Sequence, residues 1–254
     1  PLLDDVAARL RALLDGASGP RGPRQAPVSF RVGPQVLAHL ERARRRLHED
    51  TGRALGTVSD SPVLVDGRFV TSGEFHAVQP AASMDELGTA LIRAAELSAQ
   101  RVHRLLDGRV TGLPDQLTPV PGPRCGLVLV HKRAVGACNE LRRLAAPASV
   151  GLVDTSMGQE DAMTFAFEAA ERLRRVVGLV REVLACELLC ARQAWWLSGQ
   201  PPARGLEPTA GALADAVAPV DEDRPLGGDV DTLVAALATK RLPLEADDPG
   251  PNCG

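Results

Sequence analysis

The apolar positions of the chain recur every three or four residues through most of its length, which is the spacing of one helix face. Residues 2–14 predict a first helix, with Leu3, Val6, Leu10 and Leu13 on one side. Residues 15–27 are crowded with Gly and Pro and predict a loop. A second helix is expected from Pro34, because proline suits a first turn, with Val36, Leu37, Leu40 and Leu47 as its apolar face. At 62–70 the run Pro-Val-Leu-Val-Asp-Gly-Arg-Phe-Val sets Asp66-Gly67 between two apolar stretches, the chain's one hairpin signal. Residues 84–106 return to a helical period through Leu87, Leu91, Ala94, Val102 and Leu105. Pro114, Pro119, Pro121 and Pro123 then predict a stiff connector. Residues 127–144 read as another helix, and 156–197 as the longest, with Phe165, Ala169, Leu173, Val176, Val180, Leu184 and Leu188 in step. A helix of that length reaches about 60 Å and suits side-by-side packing. Short helices near 209–218 and 228–239 follow, and 249–254 reads as a frayed tail.

The expected fold is therefore all-α, an elongated bundle of long helices with one small β-hairpin near 62–70. Three stretches are expected: 1–27 as an N-terminal helix and Gly/Pro loop, 28–245 as the helical bundle, and 246–254 as a flexible tail. A chain of 254 residues buries roughly 70–75% of its unfolded surface without a staple. Lys+Arg number 29 against Asp+Glu 32, a net charge of -3, which is no footprint for nucleic acid or an anionic membrane. No apolar run approaches the ~20 residues of a membrane helix. No basic-then-apolar leader opens the chain, so a cytoplasmic location is expected. The cysteines at 125, 138, 186, 190 and 253 are odd in number and lack framework spacing, which points to reduced thiols. Cys186 and Cys190 share a helix face, but no nearby His or Cys completes a metal set. They read as small buried hydrophobes, and no metal site is expected. Tyrosine is absent from the chain.

Several segments carry a more specific pattern. Val6-Ala-Ala-Arg-Leu-Arg-Ala-Leu-Leu14 is followed by Gln25-Ala-Pro-Val-Ser-Phe-Arg31 and Pro34-Gln35-Val36. Ser59-Asp-Ser-Pro62, Gly73-Glu-Phe-His76, and Gly112-Leu-Pro114 with Leu117-Thr-Pro119 come next. Pro147-Ala-Ser-Val150, Thr155-Ser156, Gln159-Glu-Asp161, Glu187-Leu-Leu-Cys-Ala191 and Glu222-Asp-Arg-Pro-Leu226 complete the series. Together, in this order over about residues 5–240, they resemble the aromatic amino acid ammonia-lyase family in its histidine ammonia-lyase branch, in the C-terminal half alone.

That resemblance implies a methylidene-imidazolone electrophile, which the family forms from an Ala-Ser-Gly tripeptide in its N-terminal half. Ala17-Ser18-Gly19 is present here, but it lies where the family has a variable loop and reads as a glycine-rich helix stop. The electrophile is thus expected only if a partner chain supplies it. Arg31 matches the arginine that pairs with the substrate carboxylate, a task suited to a planar fork; a structural salt bridge is the alternative. Gln25 matches a glutamine of the same loop. Phe75 matches the phenylalanine beside the electrophile, and His76 reads as a hydrogen-bonded structural group. Glu160, with Gln159 before it, matches the glutamate that faces the substrate side chain. It is the expected acid/base, with helix capping below Ser156 as the alternative. Val28 replaces the family's loop tyrosine and cannot move a proton. The family builds each site from several subunits, so the expected partner is a second chain resembling the N-terminal half, in a hetero-oligomer acting on an amino-acid-like small molecule. An electrophile-independent elimination, isomerisation or cyclisation in the same pocket, or a non-catalytic scaffold, are the alternatives.

Overall fold

A computed structural model describes residues 1–17, 25–151 and 153–243. Ser18 and Gly19 of the Ala-Ser-Gly run and the predicted tail lie outside the described residues. The described chain is a helical bundle: α1 (Leu2–Leu13), α2 (Val28–Arg31), α3 (Gly33–Leu55), α4 (Val78–Leu105), α5 (Gly108–Thr111), α6 (Val128–Arg143), α7 (Ala166–Ser198), α8 (Glu207–Ala216) and α9 (Gly227–Ala238). The one sheet among the described residues is the expected hairpin, β1 (Val63–Val65) against β2 (Arg68–Val70), antiparallel with Leu64 opposite Phe69. Asp66 and Gly67 both take positive φ, as a tight two-residue turn demands.

The long helices are amphipathic and bury many small residues. Ala81, Ala90, Ala95 and Ala99 of α4, Ala134 and Ala137 of α6, and Ala169 and Ala185 of α7 are all buried. Small side chains let the axes approach closely, while Val102, Val176, Val183, Leu141 and Leu189 fill the remaining space. Cys186 and Cys190 lie in this core as expected, and Cys138 joins them. Burial pushes the Cys186 thiol up to about 12 and Cys190 well above its ordinary value, so both are inert hydrophobes.

Polar ties set the register. The Ser83 hydroxyl donates to the buried Asp50, and Arg46 lies 3.5 Å from Glu86, so α3 runs antiparallel to α4. Ser98 and Arg101 of α4 bind Glu187 of α7, with Ser98 Oγ at 2.6 Å and Arg101 Nη2 at 2.7 Å. Arg172 meets Asp85 further back along both helices, so α4 and α7 run parallel. On α6, Arg133 reaches Glu182 of α7 at 2.6 Å and Asp231 of α9 at 2.7 Å. Gln193, 1% exposed, donates to the Leu117 and Val220 carbonyls and accepts from the Val220 amide, locking the proline connector to α7.

The predicted helix over 156–197 is shorter than its periodicity indicates. It starts at Ala166, because Ser156, Met157 and Phe165 all adopt left-handed φ and break the turn that precedes it. Conversely, the helix predicted from 84 starts earlier, at Val78, behind a left-handed Ala77. α1 of the predicted N-terminal stretch packs along α3, and the Asp15 carbonyl accepts from the Arg204 amide at 3.0 Å.

Asp85 and Arg172 form the most buried ion pair of the bundle, 8% and 6% exposed at 3.0 Å. The Ala148 and Ser149 amides donate to the two Asp85 oxygens at 3.0 and 2.8 Å, and Arg172 Nε donates to the Leu144 carbonyl at 2.6 Å. Burial by itself would raise the Asp85 carboxyl. The Ser149 hydroxyl, the two amides and the Arg172 guanidinium outweigh burial and hold it below the usual carboxylate range. Asp85→Ala, which strands the guanidinium, is expected to lower unfolding free energy by about 3–5 kcal/mol in urea titration. Gly88→Ala is expected to cost about 1–3 kcal/mol, because its Cβ would stand 2.5 Å from Arg172 Nη1.

Candidate active site

The candidate residues fall at the two ends of the bundle. At the N-terminal end of α4, the short helical turn Glu74–His76 presents Phe75, which is 60% exposed. Left-handed Ala77 then turns the chain into α4. The Ser61 hydroxyl accepts from the Ser72 amide at 3.1 Å and the Ser72 hydroxyl from the Glu74 amide at 3.2 Å, which ties this turn to the start of the hairpin. The Thr164 hydroxyl donates to the His76 carbonyl at 2.6 Å and brings in the segment that precedes α7. The His76 backbone thus ties this turn to the segment before α7.

In that segment Thr155 and Glu160 pair across a small reversed loop, with the Thr155 amide donating to the Glu160 carbonyl at 2.9 Å. Glu160 Oε2 accepts from the Thr155 hydroxyl at 3.1 Å and the Ser156 hydroxyl at 2.9 Å. The carboxylate is therefore aimed by two local hydroxyls and does not cap a helix, whose first turn lies six residues on. Glu160 and Gln159 are both exposed. The Phe165 ring closes over Gly151, where a Cβ would come within 2.9 Å of Cε2, so that position accepts no side chain without moving the ring.

Arg31, Gln25 and Val28 stand at the other end. Arg31 Nε donates to the Ala26 carbonyl at 2.8 Å, closing the turn into α2 and leaving the two terminal nitrogens without a partner among the described residues. Gln25 is exposed, and Val28 is 57% exposed. α2 continues almost directly into α3, with the Val36 amide bonded to the Val32 carbonyl. Since Asp50 of α3 lies against Ser83 of α4, the stretch from Arg31 to Asp50 puts Arg31 about 28 Å up the bundle from that contact. Phe75 and the Thr164 tie lie beyond Ser83 in the opposite direction. One chain therefore groups Phe75 with the Gln159–Glu160 loop and keeps Arg31 and Gln25 away from both.

A model of the family described as aromatic amino acid lyase matches residues 1–218. The chain belongs to the aromatic amino acid lyase family. A histidine ammonia-lyase from Symbiobacterium thermophilum is 33% identical over 258 residues, covering 94% of this chain and 50% of that protein. Another, from Rhodospirillum rubrum, is 38% identical over 198 residues, covering 74% and 38%. The solved histidine ammonia-lyase of Trypanosoma cruzi superposes with a TM-score of 0.85 at 26% identity, over 93% of this chain and 46% of that one. The ergothionase of Treponema denticola shares the fold, with a TM-score of 0.88 at 22% identity over 94% and 50%. The chain spans about half the length, or less, of the curated relatives it matches. Among the described residues, no helix is long and apolar enough to cross a membrane.

This aromatic amino acid lyase chain also carries a pair the sequence reading missed. His103 of α4 and His131 of α6 stack with ring centroids 4.9 Å apart, in a cleft of about 350 Å³ that Asp107, Arg109 and Asp115 also line. The two residues are far apart in sequence and only the antiparallel α4–α6 packing joins them. Burial first, and the neighbouring His103 second, lower the His131 value below the ordinary 6.5. A lowered folded value means the unfolded chain takes up the proton first, so stability falls as pH drops through about 6.5. His131→Gln is expected to flatten the melting-temperature curve between about pH 7 and 5. Acid loss below about pH 4, from lowered carboxylates such as Asp85 and Asp223, should remain.

Proposed function

We propose that this chain contributes to a composite lyase-type active site that acts on an amino acid or an amino-acid-derived substrate. The observation that carries this reading is the separation of Arg31 from Phe75 and Glu160 on a helical bundle of the lyase fold. Each end presents half of a site: a guanidinium whose two terminal nitrogens have no partner among the described residues at one, an exposed aromatic side chain and an oriented carboxylate at the other. Antiparallel assembly of chains brings opposite ends together. The second component is a polypeptide resembling the family's N-terminal half, in a hetero-oligomer with this one. Its docking face is the α4 N-terminal end, where Leu55, Val58, Phe69, Phe75, Val150, Met157 and Phe167 are each at least 60% exposed.

The family's methylidene-imidazolone, supplied by that partner, would provide the electrophilic capture that makes ammonia a leaving group. Phe75, 60% exposed, would form the apolar wall beside it. Arg31 would anchor the substrate carboxylate. Glu160 would accept a hydrogen bond or a proton from the substrate side chain, positioned by Thr155 and Ser156. Val28 does not fit the proton-transfer role of the tyrosine it replaces. That one position favours a second reading, an elimination, isomerisation or cyclisation in the same pocket that needs no electrophile.

Expression of this chain with a protein resembling the N-terminal half should yield a stable complex, whereas this chain alone should associate or aggregate. A monodisperse, stable monomer would count against the composite site. In the complex, Arg31→Ala should lower kcat/KM about tenfold to a hundredfold, the loss of one charge-assisted pair, with Arg31→Lys between. Unchanged turnover in both Arg31→Ala and Glu160→Gln would instead mark a non-catalytic scaffold. Bleaching of near-ultraviolet absorbance and of activity by borohydride supports the electrophile reading, and resistance supports the second.

A further inference from the structure

His103 lies in the last turn of α4 and His131 in the first turn of α6, so their stacked rings join two helix ends. Between the same two ends the backbone of Gln116 forms a bridge. Its amide donates to the Leu106 carbonyl at 2.9 Å, and its carbonyl accepts from the Leu127 amide at 2.9 Å. Gln116 and Leu117 both take positive φ, a conformation that persists only while its surroundings hold it. The fit is close: a Cβ on Gly126 would run into the Gln116 carbonyl oxygen.

The charged groups that face the two rings are Asp107 at the end of α4, Arg109 of α5 and Asp115 of the connector. Asp107 is already engaged by Arg109, at 3.0 Å from Nε and 2.9 Å from Nη2, and Asp115 accepts from the Gly108 amide at 2.7 Å. On α6 the residues one turn from His131 are Leu127, Val128, Ala134 and Val135, none of them charged. His131 is half-buried and His103 exposed. A positive charge on His131 is therefore favoured only where the ring reaches water, and it reaches water by leaving the stack.

We propose that this stack is an acid-released latch: neutral, it clamps the ends of α4 and α6 onto the Gln116 bridge, and on gaining a proton it parts and frees the 107–127 connector while the bundle stays folded. The other ties between these helices contain no imidazole. Arg142 with Glu96, Arg133 with Glu182 and Asp231, and Arg101 with Glu187 all keep their charges above about pH 5. Burial first, and the facing His103 second, lower the His131 value below 6.5. The closed form is thus fully favoured above about pH 6.5 and loses ground as pH falls below it. His103 stands about 30 Å along α4 from Ser83, at the height of Arg31 on the antiparallel α3, so the latch acts at the Arg31 end of the bundle. It is independent of the proposed active site.

The test is amide hydrogen exchange read by mass spectrometry on the full chain, in the assembly it forms, between about pH 7.5 and 5.5, with rates corrected for the intrinsic effect of pH. Loss of protection in 106–127 is expected to grow as pH falls below about 6.5, by no more than about tenfold per pH unit, the limit for one proton. Protection in 176–190 of α7 should hold. His131→Phe keeps an aromatic ring against His103 without a titrating group, so 106–127 should stay protected at every pH. His131→Gln should remove the pH dependence as well, and His48→Gln, on the exposed face of α3, should leave it intact. Protection of 176–190 at neutral pH shows that each variant is folded. An unchanged 106–127 in the wild-type chain, an equal loss in 176–190, or a pH response that survives in both His131→Phe and His131→Gln would overturn the latch.

Discussion

Two opposite charges held away from water organise the end of this bundle that carries Phe75 and Glu160. A buried carboxylate and a buried guanidinium are each costly, and they are tolerated only when every lone pair and donor finds a partner. Asp85 and Arg172 meet that condition by drawing in the backbone of 144–149 as well as each other. The pair thereby fixes three things at once: the parallel register of α4 and α7, the exit of the chain from α6, and the start of the segment that carries Glu160. Gly88 is part of the same device, since any side chain there would enter the guanidinium's space. The Thr164–His76 bond and the Phe165–Gly151 contact then position Glu160 and Phe75 within that frame.

The long helices act as rigid spacers with chemistry at their ends. Alanine-rich faces bring α4, α6 and α7 close, and Glu187, Arg133 and Gln193 pin the register at successive levels. Backbone carrying left-handed residues is confined mainly to the ends, at Ala77, Ser156, Met157 and Phe165 on one side and Gln116 and Leu117 on the other. Such conformations persist where surrounding contacts hold them, as in functional segments. Within one chain, helical rise along α3 holds Arg31 and Glu160 toward opposite ends of the bundle.

Much of the architecture was legible in residue spacing. The three-to-four period of Phe165, Ala169, Leu173 and Val176 announced the longest helix, and Asp66-Gly67 announced the hairpin. The burial of Cys186 and Cys190 followed from their place on an apolar face. The start of α7 was not legible, because Ser156, Met157 and Phe165 carry no residue-type mark of left-handed backbone; glycine or asparagine would have given that signal. Glu160 was recognised as a candidate through its resemblance to the family, yet its orienting partners Thr155 and Ser156 emerged only with the loop's fold. The pairing of His103 with His131 left no trace in the linear order.

The sequence by itself determined that this chain is a helical bundle of the lyase type, since periodicity and motif order are local and survive being read one residue after another. Only the tertiary structure decided where the chemistry stands. Whether two side chains share a pocket depends on helix direction and register, and these are set by a few long-range contacts, Asp50 with Ser83 and Asp85 with Arg172 foremost. Pairings of that kind leave no periodic signature, because their partners lie tens of residues apart and are chosen by burial and charge together.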